Sequence, residues 1–160
     1  MIDLSTLSHD DEAARERLMS RATDMISQTR NWASINTGSW NIDGLRQLAP
    51  ILADAFSELD AEVRLDPGDP FESVSDTGET ETTETSSVIR VSARPDAPVQ
   101  VIMSGHYDTV FPPGAFETIR DLGGDRLNGP GLADMKGGLC IMREALLAFE
   151  AGPLKDRLGY

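Results

Sequence analysis

The sequence predicts an α/β layered domain, on two kinds of evidence: amphipathic helical stretches at both ends of the chain, and β-rich runs between them. Its 160 residues match the usual size of one domain. The apolar share, 39%, is enough for one core.

From Asp10 to about Asn36 the pattern is helical, with Leu18, Met19, Ala22, Met25, Ile26 and Trp32 recurring between charges, and Thr37-Gly38-Ser39 breaks it. A second amphipathic stretch runs from Ile42 to Leu59, with Leu45, Leu48, Leu52, Phe56 and Leu59 on one stripe. Pro50 lies inside it and predicts a kink or a late helix start. Ala61 to Leu65 reads as a short strand. Residues 66–87 turn to Pro, Gly, Ser, Thr and acids, with little to bury, and read as a mobile acidic surface loop.

Val88–Ala93 and Val99–Ser104 are β-rich and flank Arg94-Pro95-Asp96-Ala97-Pro98, which predicts a hairpin. The run Val99 to Met103 is apolar enough for a strand covered on both faces. A Pro- and Gly-rich connection spans Phe111 to Gly131. Gly138 to Glu150 is then helical, with Leu139, Met142, Leu146 and Phe149 as its buried stripe, until Gly152-Pro153 stops it. A further strand begins at the C-terminal end, so the chain reads as truncated there.

Charge and cysteine content narrow the function classes. Twenty-seven acids against fourteen bases leave a net charge of −13, which repels phosphate backbones and anionic lipid, so neither nucleic acid nor membrane is expected as a partner. The one cysteine, Cys140, excludes an internal disulfide and a Cys-based zinc site. The N-terminus lacks the basic start and apolar run of a signal peptide, and no stretch approaches the ~20 apolar residues of a membrane span. A cytoplasmic protein is expected.

The chemistry-bearing stretches are Ser104-Gly105-His106-Tyr107-Asp108-Thr109-Val110 and Asn128-Gly129-Pro130-Gly131-Leu132-Ala133-Asp134-Met135-Lys136-Gly137-Gly138. His106 and Asp108 stand two apart at the end of the apolar strand, so their side chains share a face. Ligands gather at such strand ends in α/β sheets. One imidazole nitrogen can bind a metal while the other donates to a carboxylate that fixes the tautomer, a part for which Asp108 is placed. Asp134 follows in a Gly-rich loop that opens a helix, where a short carboxylate can bridge two cations. Singly, each motif has a plainer reading: a polar pair, a helix N-cap contributing about 1 kcal/mol, a turn.

Together, GHYDTV and GPGLADMKGG resemble the signature of the dinuclear zinc family of aminoacylase, acetylornithine deacetylase and carboxypeptidase G, with GHYDTVFPPG most similar to its glutamate carboxypeptidase branch. The resemblance implies a three-layer zinc-peptidase-like catalytic domain, a mixed sheet flanked by helices, of which residues 1–160 would be the N-terminal part. The remainder, and a domain through which such proteins form homodimers, would lie beyond Tyr160. It implies that His106 ligates one zinc, that Asp134 bridges both, and that Asp108, the catalytic residue of the set, orients His106. Met135 matches a position that follows a cis peptide bond in the family.

Two Zn²⁺ ions are implied as cofactors, with Co²⁺ a possible substitute, activating a water that attacks the amide of a peptide or N-acyl amino acid. The family's general-base Glu and its other zinc ligands have no match here, so the chain alone is expected to be inactive and to bind metal weakly. The alternative is a non-catalytic relative used for binding or assembly. A serine hydrolase fits poorly, because Ser104-Gly105 lacks the G-x-S-x-G elbow. His9 is expected at the surface, and Ser104, Tyr107, Lys136 and Cys140 are expected to be a strand end, a partly buried ring, a solvated charge and a helix-core residue.

Overall fold

The computed structural model describes residues 8–160. Helix α1 (His9–Ser20) opens with a capping box: Ser8 Oγ accepts from Asp11 N, and the Asp11 carboxylate accepts from Ser8 N. The single helix expected over 10–36 is instead two, α1 and α2 (Ala22–Ala33), which meet at Arg21. Of the expected stripe only Trp32 is buried; Met19 and Ile26 are exposed. The stripe does not survive the break, because α1 buries no residue and α2 buries only Trp32 and Ala33 at its end.

Helix α3 (Ile42–Phe56) starts at Asn41, whose side chain accepts from Gly44 N. The helix is continuous through Pro50, so the expected late start does not occur. Pro50 and Arg46 both lie on the exposed face. The carbonyl that Pro50 cannot satisfy is therefore left to water. The stripe Leu45, Leu48, Leu52, Phe56 and Leu59 is buried as expected.

Strand β1 (Glu62–Asp66) pairs antiparallel with β4 (Val88–Ser92), Val63 opposite Val91. Between them, the segment 66–87 is not all loop: β2 (Phe71–Val74) and β3 (Thr80–Thr83) form a hairpin. Its turn needs Gly78, at φ +85°. The β-branched Thr80, Thr82 and Thr83 supply strand propensity that the acidic composition masks.

The hairpin expected from 88–93 and 99–104 is absent. Strand β5 (Val99–Gln100) pairs in parallel with β8 (Leu158–Gly159) instead. Ala93 and Tyr160 exchange both backbone hydrogen bonds, at 2.9 and 3.0 Å. The C-terminal strand thus lies between the two runs that were to pair with each other. Beyond Gln100 no strand continues; Val101 is half-buried and Ile102 is 96% exposed, so the run expected to be covered on both faces is not. The connection 111–131 holds a further hairpin, β6 (Arg120–Gly123) with β7 (Arg126–Asn128). Helices and small two-stranded units together make an α/β fold. Among the described residues no helix is long and apolar enough to cross a membrane.

Helix α4 (Gly137–Glu150) packs against α1 and α2, and its side chains reach α3. Trp32, Leu48, Leu52, Ala55, Leu139 and Cys140 form one core, flanked by Tyr107 and Met135; Phe56, Leu59 and Leu146 form a second against β1 and β4. Met142 and Phe149, expected in the buried stripe of α4, are only half-buried, and Arg143 and Glu144 are buried in their place. Arg143 Nε donates to the Ala55 carbonyl (2.6 Å), its Nη2 meets Glu58 (2.6 Å), and its Nη1 meets Glu144. Arg21, at the junction of α1 and α2, approaches Glu144 at 2.5 Å. A paired charge can be buried; a lone one cannot. Arg143→Met should therefore destabilise the protein by about 3 kcal/mol, the lower end for breaking a buried pair, because Arg21 still holds Glu144. Urea denaturation measures this, and Arg143→Met with Glu144→Gln should recover part of the loss.

Candidate metal centre

Two loops meet at the centre. In the extended run before Thr109, side chains alternate: Tyr107 points inward onto the core and its hydroxyl donates to the Ser87 carbonyl (2.7 Å), which turns His106 and Asp108 outward. In the second loop, Gly131 adopts φ +67°, and a Cβ there would stand 3.0 Å from Thr109 Cγ2 and 3.1 Å from Lys136 Cδ. Glycine is what lets this turn lie against both. The turn Leu132–Lys136 leaves helical geometry at Asp134 and Met135, and the peptide bond between them is cis, as the resemblance implied. Met135 packs onto the core and Asp134 faces out.

His106 Nδ1 lies 3.0 Å from Asp108 Oδ1, and Nε2 lies 3.0 Å from Asp134 Oδ1. Burial draws the imidazole pKa down, but the Asp134 carboxylate, then the Asp108 contacts, outweigh it and set it above the usual 6.5. With both nitrogens facing carboxylates, the protonated ring donates on both sides. Asp134 is not a helix cap, since α4 begins without a side-chain cap. Asp108 is held on its other oxygen by Ser39 Oγ (2.6 Å). The sequence carried no sign of that contact beyond a polar residue in the break after the first helical stretch.

The segment 35–39 braces both loops. Gly38 bridges Thr109 in parallel, Thr109 N donates to Thr37 O (2.8 Å), and Thr37 Oγ1 donates to Tyr107 O (2.7 Å). Lys136 corrects an expectation. It is fully buried rather than solvated, and its ammonium donates to the Ile35 carbonyl at 2.9 Å. Its aliphatic stem fills the space that Gly131 leaves open. Cys140 is buried in the helix core and His9 is exposed, both as expected.

A cleft of about 270 Å³ contains His106, Asp108 and Asp134, with the edge-stacked rings of Phe111 and Phe116 on its wall. A larger groove of about 930 Å³ reaches His106 and Asp108 from the side of Val101–Gly105. Among the described residues, no group of three or more His, Cys, Asp or Glu is arranged to hold a metal ion. His106 Nε2 and Asp134 Oδ1 are nonetheless an imidazole and a carboxylate donor 3.0 Å apart. Neighbouring ligands of a tetrahedral zinc, with bonds near 2.1 Å, stand about 3.4 Å apart, so the pair fits as two donors of a larger set.

Neither a protein-family model nor a curated protein matches the chain. Among solved structures, the chain is similar in fold to human carnosine dipeptidase 1, with a TM-score of 0.71 and 19% identity over 88% of this chain. It spans 31% of the length of that protein.

Burial holds the Lys136 ammonium to a pKa of about 8, against 10.5 in the unfolded chain. Between those values the unfolded state binds more protons, so stability rises with pH across that window. The wild type should gain on the order of 1–3 kcal/mol relative to Lys136→Met between pH 7 and 10. Urea midpoints of both proteins at each pH measure this; a pH-independent difference between them contradicts it.

Proposed function

We propose that the chain forms part of a metal-dependent hydrolase that cleaves the amide bond of a peptide or N-acyl amino acid. The observation that carries this reading is His106, held on one nitrogen by Asp108 and aimed with the other at Asp134, within a fold similar to part of a dipeptidase. On this reading the fold is the N-terminal part of a three-layer catalytic domain, and the glutamate carboxypeptidase flavour rests on the GHYDTVFPPG loop.

His106 Nε2 and the Asp134 carboxylate would hold zinc, Asp134 with a second oxygen free for a second ion. Zinc, when bound, supplies Lewis acidity that activates water toward an amide carbonyl. Asp108 keeps the proton on Nδ1, so that Nε2 presents its lone pair outward. For Nε2 to hold a metal, the proton it shares with Asp134 would have to be released, so affinity would fall as pH drops through the raised His106 pKa. Phe111 and Phe116 give the cleft an apolar wall beside the donors.

In the protein that carries this chain, chelation should abolish hydrolysis of peptides or N-acyl amino acids, and Zn²⁺ or Co²⁺ should restore it. Undiminished turnover after complete metal removal would overturn the assignment. His106→Ala should lower zinc affinity at least tenfold, as followed by competition with a chromogenic chelator. An unchanged zinc stoichiometry and affinity would remove His106 from the donor set.

A further inference from the structure

We propose that Ser39 is a positioning residue of this centre: its hydroxyl locks the Asp108 carboxylate in the orientation that grips His106. The proposal rests on the reading of His106 as a metal donor. Asp108 has two oxygens and two partners, His106 Nδ1 on Oδ1 at 3.0 Å and Ser39 Oγ on Oδ2 at 2.6 Å. The second contact is short and charge-assisted, the stronger class of hydrogen bond. The Thr109 carbonyl lies farther off, at 3.2 Å, and a hydroxyl has one proton to give. Asp108 is 38% exposed, so without Ser39 its free oxygen would turn toward water and carry Oδ1 with it.

Ser39 is itself delivered by a fixed frame. Its N–H donates to the Thr109 carbonyl (2.9 Å), and Asn41 N donates to the Gly38 carbonyl (2.7 Å). Thr37 is fully buried, and Gly38 lies so close to Phe111 that a Cβ would sit 2.5 Å from its carbonyl oxygen. These bonds are all made by backbone atoms or by Thr37. They staple 37–39 to 107–109 whether or not residue 39 carries a hydroxyl. The hydroxyl is then left with one role, the restraint on Asp108.

The test compares Ser39→Ala and Ser39→Thr with the wild type. In the metal-free protein, nitrogen-15 NMR reads the His106 tautomer and the exchange of its Nδ1 proton; zinc affinity is read by chelator competition. Ser39→Ala should keep its melting temperature within about 2 °C, expose the Nδ1 proton to faster exchange, and weaken zinc binding about tenfold. Ser39→Thr, which restores the hydroxyl, should return both quantities to within about threefold of the wild type.

Wild-type Nδ1 exchange and zinc affinity in Ser39→Ala would overturn the proposal. So would a loss that tracks a large drop in melting temperature and that threonine does not rescue. Should Ser39→Ala fail to fold, Ser39→Cys, with its weak donor, is read in the same two ways. If His106→Ala binds zinc normally, the metal reading fails by itself, while the Nδ1 proton in Ser39→Ala still decides whether Ser39 positions Asp108.

Discussion

The centre depends on one short rung of backbone, residues 37–39 laid alongside 107–109. Its parallel bridge joins Gly38 to Thr109, and the two threonines on it, Thr37 and Thr109, are among the buried polar residues. Thr37 caps the Tyr107 carbonyl, Ser39 reaches Asp108, and the adjoining Ile35 carbonyl takes the Lys136 ammonium from the second loop. A buried backbone group without a partner is costly, so these bonds fix where both loops can lie. The loops bearing His106 and Asp134 are far apart in sequence, and the connector after α2 holds them in register.

The same loops are pinned from below. Tyr107 and Met135 each stand beside a candidate ligand and each packs on the core of Trp32, Leu48, Leu52 and Leu139. Even their partial burial removes apolar surface from water, so the outward direction of His106, Asp108 and Asp134 is set by the inward direction of their neighbours. The Arg143–Glu144 pair on α4 is tied to the junction of α1 and α2 through Arg21 and to the end of α3 through the Ala55 carbonyl.

What the sequence made legible follows from range. Helices α3 and α4 are local, and their apolar periodicity names Leu45, Leu48, Leu52 and Leu146 as buried, which they are. The His106–Asp108 contact is local too, since alternation over three residues is enough to produce it. The hairpin of 88–93 with 99–104 failed because its competitor, Leu158–Tyr160, enters from the far end of the chain. The burial of Lys136, Arg143 and Glu144 was hidden for a related reason. A charged residue reads as solvated unless its partner is known, and the partners here are Ile35, Ala55, Glu58 and Arg21. In 66–87 a strongly acidic composition outweighed the β-branched threonines that pair in β3.

Lys136 bears on the charge balance of the centre. Two carboxylates, Asp108 and Asp134, flank one imidazole. In the metal-free protein the imidazolium supplies the positive charge between them, which is why the His106 pKa lies above its usual value despite burial. A lysine two residues after Asp134 is the nearest permanent cation in sequence. Turned outward, its ammonium would neutralise the same carboxylates and compete with any divalent ion for them. Instead the chain buries Lys136 on the opposite side of the loop, at a desolvation penalty large enough to pull its pKa to about 8. The Ile35 carbonyl and the space above Gly131 are what hold it there. Burying that charge keeps the loop in place and leaves the carboxylates facing a cation that can exchange: a proton at low pH, and on the proposed reading a metal ion above it.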